Sequence, residues 1–139
     1  MRRGKRLNER AKTLDAQRLQ KLADETSLEA AESITAEYVT LVPRFVERIM
    51  RTVGAQDPDL MLDASRSLKA KSWLVGALRM NQLCGELELA VALADWDATA
   101  AVARDIELHL PHLQKALGDV PELTRRSRQP RPLQTAMAS

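Results

Sequence analysis

Apolar residues recur at intervals of three and four along most of this chain, the spacing that turns one face of an α-helix toward a core. A short first helix is predicted over roughly 13–24, with Leu14, Leu19, Leu22 and Ala23 at its apolar positions. Thr26-x-x-Glu29 then reads as a capping box, in which side chains bond the free N–H groups of a helix start. It opens a long helix with the stripe Ile34, Tyr38, Leu41, Phe45, Ile49 and Val53. Pro43 lies inside that helix and predicts a kink or a division, and Gly54 predicts its end. Asp57-Pro58, a cap followed by a proline that needs no N–H partner, opens the next helix. That one carries Met61, Ala64, Leu68, Ser72 and Val75 inward and ends before Gly76. A further helix spans about 78–94, with Met80, Leu83, Cys84, Leu87, Ala90 and Val91 on one side. Asp95-Trp96-Asp97 makes a turn and caps the last helix, about 97–117. Its stripe is Val102, Ile106, His109, Leu113 and Leu117, and Pro111 predicts a bend or an early stop.

Four long amphipathic helices joined by short loops cannot each bury a face alone. The pattern therefore predicts an all-α fold, an antiparallel up-down-up-down four-helix bundle with the short first helix packed on one end. Residues 1–12 and 120–139 lack apolar periodicity, and Arg125 to Pro132 mixes Arg, Ser, Gln and two prolines. Both ends read as disordered basic segments flanking one bundle over 13–119. No internal repeat is evident.

Composition agrees with helices. Aromatics are only 3% of the 139 residues, so the chain lacks the side chains that favour strands. Charge is unevenly spread. Residues 1–12 hold six basic groups against Glu9, and 118–139 hold Arg125, Arg126, Arg128 and Arg131 against Asp119 and Glu122. With a net charge of +2 overall, the intervening body is acidic. That is not the footprint of a specific nucleic-acid-binding domain, which gathers positive charge on a folded face. Cys84 is the single cysteine, which excludes an internal disulfide and a cysteine-based metal cage and fits a reducing, cytoplasmic compartment. No apolar run approaches the roughly 20 residues of a membrane span. The basic start Met1-Arg2-Arg3-Gly4-Lys5-Arg6 is followed by a polar stretch, not a signal-peptide core.

The segment Ser65-Arg66-Ser67-Leu68-Lys69-Ala70-Lys71-Ser72-Trp73-Leu74-Val75-Gly76-Ala77 carries the most informative pattern. It resembles the signature of histidine phosphotransfer (HPt) domains, approximately His-x-Leu-Lys-Gly-x-Ser, three further residues, then Gly-Ala. Leu68, Lys69, Ser72, Gly76 and Ala77 match in type and spacing. Leu83-Cys84-x-x-Leu87-Glu88 is similar to the family's next helix, and Ala94-Asp95-Trp96-Asp97 to the turn before its last one. The resemblance covers about 13–117 and implies the same bundle.

One departure decides the chemistry. The family's phosphorylated histidine falls at Arg66. Members relay a phosphoryl group between aspartates of receiver domains through that imidazole, whose free ring nitrogen attacks and later leaves. A guanidinium stays protonated and has no free lone pair. The resemblance thus implies a non-enzymatic module with no cofactor and no metal. Its partners would be a response-regulator receiver domain or a histidine kinase.

Arg66 lies roughly 200° round its helix from Leu68, and Trp73 returns to within about 20° of Arg66. Asp59, Asp63, Arg66, Ala70 and Trp73 form one outward stripe with Lys69 beside it, the expected partner-binding face. Trp beside Arg is the composition of an interface hot spot. In this reading Arg66 and Lys69 meet the acidic pocket of a receiver directly. The bland alternatives are a solvated charged face for Arg66 and Lys69, and a Trp73 that covers the bundle edge or the first helix. Another class of function is a helical scaffold or homodimer unrelated to phosphorelay. A remaining alternative, phosphotransfer through His109 or His112, places the acceptor off the matching position.

Overall fold

The computed structural model describes residues 9–119, which form helices and short connections with no strand among them. The helices are α1 (Ala16–Glu25), α2 (Leu28–Gly54), α3 (Pro58–Leu74), α4 (Leu78–Ala92) and α5 (Trp96–Gly118). The all-α expectation holds. The terminal stretches 1–8 and 120–139, expected to be disordered, lie outside the described residues.

The helices pack around one core. Val42, Ile49, Met61, Leu68, Met80, Leu83, Leu87, Ile106 and Leu113 are at most 1% exposed. Burying a side chain of this size contributes about 1.5–3 kcal/mol, so this core is the main source of stability. On α3 the expected inward residues Met61, Ala64, Leu68 and Ser72 are buried. On α2 the buried line differs from the expected stripe. It runs through Ala31, Thr35, Tyr38, Val42, Val46, Ile49 and Thr52, while Ile34, Phe45 and Val53 are only half-buried at its edge. Small and hydroxylated residues could take the centre because Thr35 and Thr52 donate to the carbonyls of Ala31 and Ile49, both at 2.8 Å.

Neither internal proline divides its helix: Pro43 lies within α2 and Pro111 within α5. Each removes one helical hydrogen bond, leaving the carbonyls of Val39 and Glu107 without that donor. Val39 and Glu107 are exposed, so water can reach those carbonyls, and each helix continues past its proline. The expected capping box does not form, because N3 of the helix is Ala30, which cannot bond back to the cap. Ser27, not Thr26, caps α2, its Oγ accepting from the Ala30 N–H at 3.0 Å. The Thr26 hydroxyl instead donates to the Leu22 carbonyl at 2.7 Å and closes α1.

The three connections between the long helices share one geometry. In each, an N–H returns to a carbonyl five residues back: Asp57 to Thr52 at 3.1 Å, Ala77 to Ser72 at 2.8 Å, and Asp95 to Ala90 at 2.9 Å. This helix-ending turn requires a left-handed residue. Those residues are Gln56 (φ 55°), Gly76 (φ 80°) and Ala94 (φ 53°). Gly54, the expected stop, is still helical. Gly76 is glycine for a second reason, since a Cβ there would stand 2.7 Å from the Asp15 carbonyl oxygen.

That contact belongs to a strap. Residues 9–15 run across the α3–α4 connection, so the expected disorder of 1–12 is corrected at its end. The Asp15 N–H donates to the Gly76 carbonyl and the Arg79 N–H to the Lys12 carbonyl, both at 2.8 Å. The Gln82 side chain accepts from the Ala11 N–H and donates to the Glu9 carbonyl, both at 2.9 Å. Ala77 offers α4 no capping side chain, so the Lys12 carbonyl satisfies one of its orphan N–H groups. Backbone bonds of this kind leave no apolar period, and periodicity could not reveal them.

Candidate functional site

The outward face of α3 is set by its inward one. With Met61, Ala64, Leu68 and Ser72 held in the core, Asp59, Asp63, Arg66, Ala70 and Trp73 point to solvent and Lys69 sits half-buried beside them. The expected stripe is therefore present as one surface. Trp73 is 50% exposed, a large apolar area on a polar face.

Charge is organised differently from the expectation. Arg66 and Lys69 are not free cations. Arg66 Nε donates to Glu88 Oε2 at 2.9 Å, and Lys69 Nζ donates to Glu88 Oε1. Glu88 comes from α4 and bridges both, one carboxylate oxygen to each. Burial pushes the Glu88 carboxyl up, but the hydrogen bonds and charges of Lys69 and Arg66 outweigh it and hold the group below its ordinary value. Glu88 is only 18% exposed and anchors the triad, whereas Arg66 keeps 64% exposure. Two cations share one anion, so the triad retains a positive charge and an accessible guanidinium. The Asn81 amide donates to the Lys69 carbonyl at 3.0 Å and ties α3 to α4 again.

Trp73 is likewise held from another helix. The Arg18 guanidinium of α1 stands 4.9 Å from the indole centroid, and its Nε donates to the Trp73 carbonyl at 3.3 Å. The cation favours the negative ring face and fixes one side of the indole. The two readings of Trp73 thus combine: α1 covers one side and the other is open. Asp63 pairs with Arg48 of α2 at 3.4 Å, an exposed pair of small energetic weight. Asp59 and Ala70 are exposed.

The sequence reading did not find Glu88 as the partner of Arg66 and Lys69, nor Arg18. Both act across helices, and no spacing within one helix marks them. Beneath the face, Tyr38 and Ser72 share a buried hydroxyl pair at 2.7 Å. Cys84 is fully buried, and burial, with Glu88 adding to it, pushes its thiol up to about 12. A thiol so placed is unreactive near neutral pH.

The histidines lie elsewhere, on α5. His109 is half-buried and its Nε2 is buried without a partner. Burial, then the charges of Arg79, His112 and Arg10, lower it to about 4, so the ring is neutral at pH 7. The His112 ring is 6.4 Å away, centroid to centroid, and exposed. Among the described residues no three of His, Cys, Asp and Glu converge as a metal cage, and no helix is long and apolar enough to cross a membrane.

Compared with known proteins, the chain matches no family model, no curated protein and no solved structure.

Proposed function

We propose that this chain is an HPt-like interaction module of phosphorelay signalling that cannot be phosphorylated at the usual position. It binds a response-regulator receiver domain or a histidine kinase through the Arg66–Trp73 face and acts by occupancy, in the cytoplasm. The carrying observation is Arg66 itself: the residue at the phosphoacceptor position is exposed, cationic and steadied by Glu88. Its guanidinium is offered where the family offers an imidazole, and it can meet a carboxylate with charge-assisted hydrogen bonds. The open side of Trp73 supplies an apolar anchor about two turns along the same helix.

The same reading takes the four long helices as an up-down-up-down bundle. Support comes from the short connections and from pairs such as Tyr38–Ser72, Arg48–Asp63 and Arg66–Glu88, which join consecutive helices side by side.

The test is a titration of the full chain with purified receiver domains and kinase domains of its host. Binding that is lost in Trp73→Ala and weakened in Arg66→Glu supports the reading. Acid-labile phosphate appearing on this chain from a phosphorylated receiver would replace it with active transfer through His109 or His112. A symmetric dimer that buries Trp73 would replace it with the scaffold alternative.

A further inference from the structure

A second surface lies away from the Arg66–Trp73 face, where the α2–α3 connection meets the start of α5. Val53, Gln56, Met61, Trp96, Thr99 and Ala100 line an open groove there of about 300 Å³. Trp96 is 48% exposed, Leu60 beside Met61 is 47% exposed, and Leu93, three residues before Trp96, is 68% exposed. Isolated apolar residues on a surface mean little, but a half-exposed indole walling a groove, with exposed leucines in the segments that carry its lining, marks a contact site.

The groove has little to orient a small polar ligand. Its buried hydroxyl, that of Thr99, already donates to the Asp95 carbonyl at 2.9 Å. Its walls suit an aliphatic or aromatic side chain inserted from outside. The two connections that carry its lining residues are mainly acidic. Asp57, Asp59, Asp95 and Asp97 surround the two connections, and Arg51 is the single cation within 51–60 and 93–97. Asp57 and Asp95 are fixed there as helix caps, accepting from the N–H groups of Leu60 and Ala98 at 3.1 Å. An apolar slot between mainly acidic connections disfavours nucleic acid and anionic lipid, and complements a peptide that carries Lys or Arg beside a large apolar residue.

We infer that the Trp96 groove docks a basic peptide segment of a partner protein, with an aliphatic or aromatic side chain seated against the exposed Trp96 indole and its cations met by Asp57, Asp59, Asp95 and Asp97. This surface shares only Asp59 with the α3 face of the proposed function, and the Trp96→Ala and Trp73→Ala variants keep the two apart.

The probe is a displayed library of random short peptides selected on the immobilised full chain, followed by calorimetry with the enriched sequences. Enrichment of Lys or Arg next to Leu, Ile, Met or Phe is expected. Trp96→Ala should weaken binding at least about tenfold. A variant with Asp57, Asp59, Asp95 and Asp97 all changed to Asn keeps its caps, because Asn caps about as well as Asp, and should weaken binding by a similar factor and flatten its salt dependence. Trp73→Ala should leave it unchanged. No enrichment, enrichment of neutral or acidic sequences, or equal binding to Trp96→Ala would overturn the inference. So would peptides that bind only after Leu133 and Met137 are both changed to Ser, which would place the chain's own C-terminal segment in the groove.

Discussion

Arg66 and Lys69 of α3 both donate to the Glu88 carboxylate of α4, with Arg66 Nε at 2.9 Å. The Arg66 guanidinium is thereby fixed in place and kept exposed. Glu88→Gln should free Arg66 and, under the proposed function, weaken receiver binding. The stability cost should be about 1 kcal/mol, since both cations can turn to water. The Glu88 carboxyl is held below its ordinary value, so its contribution is present above the unfolded carboxylate value of about 4.3 and is lost as pH falls through the lower folded value. Acid titration of unfolding free energy should show a shallower acid limb in Glu88→Gln.

His109 predicts pH dependence in a different window. Its folded value is lowered to about 4, against about 6.5 in an unfolded chain. Between those values the unfolded chain takes up a proton that the folded one refuses. Stability should therefore fall as pH drops from about 6.5 to about 4, with a slope approaching one proton. His109→Gln should flatten that part of the curve measured by denaturant unfolding.

The shared helix-ending turn gives opposite outcomes at two of its positions. Ala94→Gly should stabilise by about 1 kcal/mol, because alanine pays the steric penalty of the left-handed region. Gly76→Ala should destabilise by more than about 2 kcal/mol, combining that penalty with the 2.7 Å approach of its Cβ to the Asp15 carbonyl. Thermal or denaturant midpoints of both variants check the pair.

Much of the fold was legible because it depends on periodicity and caps. Met61, Ala64, Leu68 and Ser72 follow a helical period, and Asp57-Pro58 and Asp95 carry their capping chemistry in their side chains. What escaped depends on partners distant in sequence. Ser27 and Thr26 both offer a hydroxyl, and only the backbone decides which opens α2 and which closes α1. Thr35 and Thr52 lie in the buried line because each satisfies its hydroxyl within its own helix. At the candidate site the outward stripe was legible from helix geometry, but Glu88 and Arg18 reach it from other helices.

The buried hydroxyl pair should respond asymmetrically. After Tyr38→Phe, Ser72 can turn its hydroxyl to a carbonyl of its own helix, at a cost of about 1 kcal/mol. Ser72→Ala strands the Tyr38 hydroxyl, which is 3% exposed as a residue, and should cost more, up to about 3 kcal/mol. The double variant should recover part of the loss, a coupling read from a double-mutant cycle.

The most direct measurement of the proposed function is an amide and indole NMR map of the full chain titrated with receiver domains of its host. Shifts centred on Arg66, Lys69, Ala70 and the Trp73 indole, absent in Trp73→Ala while the fold persists, are the expected result. No shift with any receiver or kinase domain, or shifts confined to other faces, would contradict it.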